Sequence, residues 1–240
     1  MARDWDVRAD QLSAEALAHG EPTAWFDRLY AEGAAGTISM PWSRDEPQRH
    51  LRDWAVHTGL SGEDRRAVVV GCGLGADAEF VAGLGFDVTG FDISPHAIAQ
   101  ARTRHPRSPV RYQVADVLDL PSAWSRGFDL VVEVFTMQAL PDPPRAAAMD
   151  GVADLVAAGG NLVAIALRLT AADDAGVGPP FPLSQTQMDG WVRRGLSPVS
   201  LVEVDGPLWR GVYRRPADDG QAPTRPLRRR LRAGGAAAAG

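Results

Sequence analysis

The stretch Ala67-Val68-Val69-Val70-Gly71-Cys72-Gly73-Leu74-Gly75-Ala76-Asp77 constrains this chain more than any other. Four apolar residues without alternation read as a parallel strand covered on both faces. Three glycines at every second position then allow a tight turn and let a ligand approach the backbone. Behind them Ala78, Val81, Ala82 and Leu84 recur at helical spacing. A strand, a glycine loop and a helix in that order present free backbone N–H groups, a common cradle for nucleotide-like ligands. The glycine pattern fits several such ligands, so its neighbours decide.

From residue 67 onward strands and helices are expected to alternate, which implies a parallel sheet with helices on both faces. Strands are read over 67–71, 87–91, 110–114, 128–134 and 161–169. Ser94-Pro95 is a helix start, with Ser as N-cap and Pro at the first helical position. A helix over 144–158 is expected to close at Gly159-Gly160, and 184–194 to be helical. Two last strands, 199–204 and 207–214, flank Gly206-Pro207, and so short a connection makes them an antiparallel hairpin.

Ahead of the first strand, apolar spacing of three and four predicts helices over 11–19 and 23–31, and Leu51, Trp54, Ala55 and Val56 suggest a third. Gly33 to Pro47 reads as loop. Trp5, Trp25, Trp42 and Trp54 fall in this first quarter and are expected to pack it onto the sheet, with Trp42 placed to roof over a ligand. The organisation expected is an N-terminal helical cap over 1–60, a main domain over 61–215, and a disordered Pro-, Arg-, Ala- and Gly-rich tail over 216–240.

Composition removes some chemistries. All 25 basic residues are Arg, so no Lys can form a Schiff base. The net charge of -5 argues against a nucleic-acid partner. Within it, 216–240 holds five Arg against two Asp, a local +3, which leaves -8 for the preceding residues. The single cysteine, Cys72, excludes an internal disulfide and fits a reducing compartment. The first residues lack the apolar run of a signal peptide, and no stretch approaches the ~18 apolar residues of a membrane span. A cytoplasmic protein with no membrane partner is expected. The five histidines show no ligand spacing, so no metal is expected.

In an open parallel sheet, ligands bind beyond the carboxyl ends of the strands. Strand two ends at Asp92, where an acid can accept from both hydroxyls of a ribose; strand three ends near Asp116 and strand four reaches Glu133. Three acids at successive strand ends beside a glycine loop point to a nucleoside site.

These residues resemble a class I S-adenosylmethionine-dependent methyltransferase. Val-Gly-Cys-Gly-Leu-Gly matches that family's first motif, Gly-Phe-Asp-Ile-Ser its second and Ala-Asp-Val-Leu-Asp-Leu-Pro its third. The resemblance implies a Rossmann-like, seven-stranded, mostly parallel sheet with an antiparallel last strand. It implies S-adenosylmethionine as cofactor, with Gly71, Gly73 and Gly75 around its amino-acid part, Asp92 on the ribose and Asp116 on the adenine amine. Cys72, Asp77, Ile93, Val117 and Glu133 complete the expected cofactor set, together with Trp42.

A narrower resemblance is to the thiopurine and thiol/halide methyltransferases. Gly-Cys-Gly-x-Gly-x-Asp, ending at Asp77, is similar to theirs. Pro41, Trp42, Pro47 and Leu51 keep the spacing of their cofactor-covering element, although Ser43 and Asp45 replace its Asp and Gly. Gly178-Pro179-Pro180-Phe181 is similar to their Gly-Gly-Pro-Pro-aromatic loop near the acceptor, so Phe181 and Phe135 are the expected substrate contacts. That likeness implies a small sulfur or halide acceptor and in-line transfer relying on proximity. Glu133 is the one candidate base, needed only for an oxygen acceptor.

Three alternatives stay open: an O- or N-methyltransferase of a small natural product, a nicotinamide-dependent oxidoreductase, and an idle cofactor-binding protein. Gly71-x-Gly73-x-x-Ala76 with Asp92 satisfies the looser dinucleotide fingerprint, but no Ser/Tyr-x-x-x-Lys hydride-site set accompanies it. The acceptor and the oligomeric state are not legible.

Overall fold

The computed structural model describes residues 4–38, 43–173 and 178–217. Helix α1 (Asp4–Ala18) and α2 (Trp25–Ala34) form an N-terminal pair, followed by α3 (Arg49–Thr58). The sheet region then runs β1 (Arg66–Val70), α4 (Ala76–Gly83), β2 (Asp87–Asp92), α5 (Pro95–Arg104), β3 (Arg111–Val114), β4 (Phe128–Val134) and α6 (Pro144–Leu155). It ends with β5 (Val156–Leu167), α7 (Gln185–Met188), α8 (Gly190–Arg193), β6 (Ser197–Val204) and β7 (Leu208–Arg214).

The seven strands lie in the order β3-β2-β1-β4-β5-β7-β6. The first five pair in parallel, while β7 is antiparallel to both β5 and β6. Unbroken apolar strands follow from burial on two faces. In β1, Val68 and Val70 enter one core with Val131, Leu162 and α6, whereas Ala67 and Val69 enter the other with Val132, Val163 and α3 to α5. Ser94 caps α5 by accepting from Ala97 N at 3.0 Å, and a capping box at Ser184 and Gln187 starts α7.

Some boundaries differ from those expected. Helix α1 begins at Asp4 and α2 extends to Ala34, into the stretch read as loop. Helix α6 ends at Leu155, so Gly159-Gly160 does not close it. The pair lies inside β5, at a register shift where Phe128 faces Val156 but Leu130 faces Asn161. A Cβ on Gly160 would stand 2.9 Å from the carbonyl oxygens of both Ala157 and Phe128, so no side chain fits there. The expected helix over 184–194 is broken at Asp189. Residues 218–240, most of the expected tail, lie outside the described residues.

The N-terminal pair has a core of its own, made of Ala9, Leu12, Ala16, Trp25 and Leu29, with Phe26 and Ala139 against it. Arg8 Nε donates to Glu32 Oε2 at 2.8 Å and ties α1 to α2. Trp54 of α3 joins the sheet's core. No helix among the described residues is long and apolar enough to cross a membrane.

Candidate functional site

The carboxyl ends of β1 to β5 open into one cavity of about 690 Å³. The loop from β1 to α4 is one wall. Gly73 has φ +52, and a Cβ there would stand 2.9 Å from the Tyr30 hydroxyl, so glycine both turns the chain and leaves room for α2. The loop is pinned to β2, because Cys72 N donates to Phe91 O at 2.8 Å and Gly73 N donates to Asp92 Oδ2 at 2.9 Å.

Asp92 is buried, and its other oxygen, Oδ1, accepts from Ser94 N at 3.0 Å. Both carboxylate oxygens are thus held by backbone amides, and the residue lines the cavity. Two acceptor positions about 2.2 Å apart suit a vicinal diol, a consequence of ordinary carboxylate geometry. Burial, opposed by the Ser94, Gly73 and Ile93 amides, pushes this carboxyl up to about 6.

Asp116 Oδ1 accepts from Leu118 N at 2.8 Å, and Thr23 Oγ1 reaches Oδ2 at 3.5 Å. Asp77, at the first turn of α4, accepts from Gln48 N at 2.6 Å and pairs with Arg44 at 3.6 Å. Burial raises its carboxyl as well. The glycine loop thus collects acids at three strand or helix ends, together with one arginine.

Glu133 behaves differently. It is 1% exposed and does not line the cavity; its Oε1 accepts from Thr136 N at 2.7 Å and Met137 N at 3.0 Å. Those bonds close the turn after β4, where Phe135 takes φ +62 in the left-handed region that a side chain rarely enters. Burial pushes Glu133 up to about 7. A carboxyl so engaged braces a strained turn, and this geometry gives it no path to a proton in the cavity.

Of the residues singled out in the sequence, Gly71, Cys72, Gly73 and Asp77 line the cavity from the loop. Asp92 and Ile93 line it from β2, Asp116 and Val117 from beyond β3, and Phe135 from β4. Gly75 does not; it caps α4 at φ +97, against Tyr112. Phe181 is turned away too, buried with its ring 5.8 Å from the Arg145 guanidinium, while Pro179 and Pro180 face the cavity. Trp42 lies outside the described residues. The Cys72 thiol is pushed well up by burial, which suits a packing role rather than a nucleophile.

Several lining residues escaped the sequence reading: Thr23, Trp25, Phe26 and Tyr30 near α2, Arg44 and Gln48 before α3, and Gln138. The aromatic density around α2 was a signal, but amphipathic spacing reads equally well as core. Arg44, Gln48 and Gln138 reach the cavity only through tertiary contacts, and no local pattern marks them.

The strand order separates this site from a dinucleotide fold, whose usual order is 3-2-1-4-5-6 with a parallel sixth strand. Here antiparallel β7 sits beside β5. The seven-stranded mixed sheet with its antiparallel last strand is a Rossmann-like methyltransferase fold. Residues 67–160 match the family model described as "Methyltransferase domain".

The ubiquinone biosynthesis O-methyltransferase of Xanthomonas euvesicatoria pv. vesicatoria (strain 85-10) is 34% identical over 155 residues, which cover 61% of this chain and 64% of that protein. Its counterpart in Xanthomonas axonopodis pv. citri (strain 306) is 33% identical with the same coverage. The chain thus spans about 64% of the length of these curated relatives. Among solved structures, N-methyltransferase NodS from Bradyrhizobium japonicum WM9 in complex with S-adenosyl-L-homocysteine superposes with TM-score 0.59 at 22% identity, covering 87% of this chain and 99% of that one. A structure from work on the conversion of a disulfide bond into a thioacetal group during echinomycin biosynthesis gives TM-score 0.68 at 22% identity, covering 82% and 93%. At these identities the two structures speak for the fold.

Proposed function

We propose that this protein transfers the methyl group of S-adenosylmethionine to a small-molecule oxygen nucleophile. The observation that carries the cofactor is Asp92, a buried acid that lines the cavity with its carboxylate fixed by backbone amides beside a glycine loop. In this reading the loop 71–74 holds the amino-acid part of the cofactor and Asp92 the ribose. Asp116, Ile93 and Val117 flank the adenine, and Arg44 and Gln48 lie beside Asp77. When bound, the cofactor supplies a methyl already made electrophilic by a sulfonium. The chain's own task is to hold the acceptor about 3 Å away in line and to exclude water.

Oxygen as the nucleophile is supported by the O-methyltransferases to which the chain is similar. A sulfur or halide nucleophile is the second reading, favoured by Glu133: its carboxyl is committed to the Thr136 and Met137 amides, and a thiol partly ionised near neutral pH needs no base. Residues 1–60 form the cover of the site in this reading, with α2 over the cavity. The lone, buried Cys72 supports a reducing, cytoplasmic setting.

Calorimetry with S-adenosylhomocysteine and NAD tests the cofactor, with micromolar binding of the first and none of the second expected. Binding of NAD alone would overturn the assignment. Methyl transfer from S-adenosylmethionine to phenols and to thiols then separates the two acceptor readings by which series turns over.

A further inference from the structure

The cavity has two chemically different halves. Its charged lining residues among those described, Asp77, Asp92, Asp116 and Arg44, belong to the glycine loop and the ends of β2 and β3, or pair with them. Toward the ends of β4 and β5 the walls are Leu140, Leu167, Pro179 and Pro180. Trp25 and Phe26 of α2, whose rings stack with centroids 4.0 Å apart, complete that half.

Gln138 stands in the apolar half, on the first turn beyond β4, and is 6% exposed. Leu167 N donates to its Oε1. That bond fixes the amide's orientation, because a backbone N–H is answered by the amide oxygen and not by its NH2. The backbone is held too, with Phe181 N donating to Gln138 O at 2.6 Å. What remains is Nε2, with two N–H donors and no hydrogen-bond partner among the described residues, on a side chain that lines the cavity. The neighbouring hydroxyl, Thr136 Oγ1, is already committed to Val70 O at 3.2 Å. Nε2 is not among the sealed side-chain atoms left without a partner, so it opens on the cavity; a largely apolar ligand that displaces water there leaves this donor unpaired unless the ligand supplies an acceptor.

Building on the methyl-transfer reading, we propose that Gln138 is a specificity-determining residue that donates to an oxygen on a neutral, largely apolar, ring-bearing acceptor. Neutrality follows from the lining charges, three acids against one arginine that already pairs with Asp77 at 3.6 Å. An anionic group on the acceptor would lose its hydration in an apolar half beside a net negative one, with Arg44, already paired, the one side-chain cation among the described lining residues. The ring follows from the Trp25 and Phe26 faces and the proline edges around Gln138. The oxygen lies beside the nucleophile rather than being identified with it, so the proposal holds for either nucleophile.

The test is calorimetry on the full chain saturated with S-adenosylhomocysteine, using probes that differ by one atom. 2-Methoxyphenol is compared with 2-ethylphenol, 2-methoxythiophenol with 2-ethylthiophenol, and salicylate stands for the anions. Each methoxy compound is expected to bind about tenfold more tightly than its ethyl partner, the scale of one hydrogen bond to a donor otherwise left unpaired. Salicylate is expected to bind more weakly than either neutral phenol. In Gln138→Glu a carboxylate oxygen still accepts from Leu167 N but the donor is gone, so the methoxy preference should vanish while S-adenosylhomocysteine affinity stays within about twofold. Equal binding of methoxy and ethyl partners to the wild type overturns the proposal. So does a preference that survives in Gln138→Glu, tighter binding of salicylate, or binding of none of the probes to the loaded protein. If Gln138→Glu does not fold, the wild-type methoxy-to-ethyl ratio decides by itself. Failure of S-adenosylhomocysteine to bind removes the methyl-transfer reading instead, a separate result.

Discussion

Asp92 has the most sharply defined chemistry of any residue in the site. Its two oxygens are oriented by Gly73 N and Ser94 N, and burial raises its carboxyl to about 6 in the ligand-free protein. Accepting from a ribose diol requires the ionised form, so binding and protonation compete. Affinity for S-adenosylhomocysteine should therefore be flat above about pH 7 and weaken toward tenfold per pH unit below about 6. Asp92→Asn should remove that slope, and Asp92→Ala should weaken binding by roughly 1.5–3 kcal/mol, the scale of hydrogen bonds to a charged group. Calorimetry across pH 5–8 checks both. An unchanged affinity in folded Asp92→Ala would move the ribose contact elsewhere. Glu133 makes the opposite point at the same scale: an acid at a strand end looks like a base in the sequence, and only its bonds to two backbone amides reveal a brace.

Among elements, the strands and the helices of the sheet were the legible part, because two-sided burial prints unbroken apolar runs and caps print Ser-Pro and Ser-x-x-Gln. Gly159-Gly160 misled because paired glycines end helices and also fill β-bulges, and only the register of β4 against β5 distinguishes the two. The roof was legible as aromatic density but not as geometry. Helix α2 reaches the cavity because it is moored at a distance: Ser94 Oγ donates to Asp27 Oδ1 at 2.6 Å, and His96 N donates to the same oxygen at 3.2 Å. Asp27 is therefore a positioning residue for Trp25 and Phe26. Asp27→Ala should cost about 1 kcal/mol of stability, a discounted figure for a carboxylate 39% exposed. It should raise the acceptor KM several-fold while leaving S-adenosylhomocysteine affinity within about twofold, since Asp92 keeps both of its amides. An unchanged acceptor KM would mean that the α1–α2 core alone sets the position of α2.

Across the whole molecule, the site gathers buried acids at the ends of a sheet whose body is already acidic. Asp77, Asp92 and Glu133 are all raised by burial, to about 6 for Asp92 and about 7 for Glu133. Carboxyls raised on folding favour the folded state most fully below their ordinary pKa near ~4, and that contribution is lost as pH climbs through the raised values. Carboxylates lowered by arginine partners act in the opposite sense, as the Arg111 hydrogen bond does for Asp87, so the net pH dependence of stability mixes the two. The shift produced by ligand rests instead on the raised carboxyls that face the cavity, Asp77 and Asp92, of which Asp92 is the one on the ribose in the proposed reading. In the proposed reading ribose donors favour its ionised form, so stabilisation by S-adenosylhomocysteine should grow as pH rises through about 6. With ligand at about 100 times Kd above pH 7, the expected gain is about 2.7 kcal/mol. For a chain of this size that corresponds to roughly 5–10 °C in Tm. At pH 5 and the same ligand concentration, a tenfold weaker Kd leaves roughly half of it. Thermal unfolding with and without ligand at pH 5, 6, 7 and 8 measures this directly. Glu133→Gln should keep the pH dependence of the ligand shift and Asp92→Asn should abolish it. A shift independent of pH in the wild type would show that no carboxyl titrating near 6 meets the ligand.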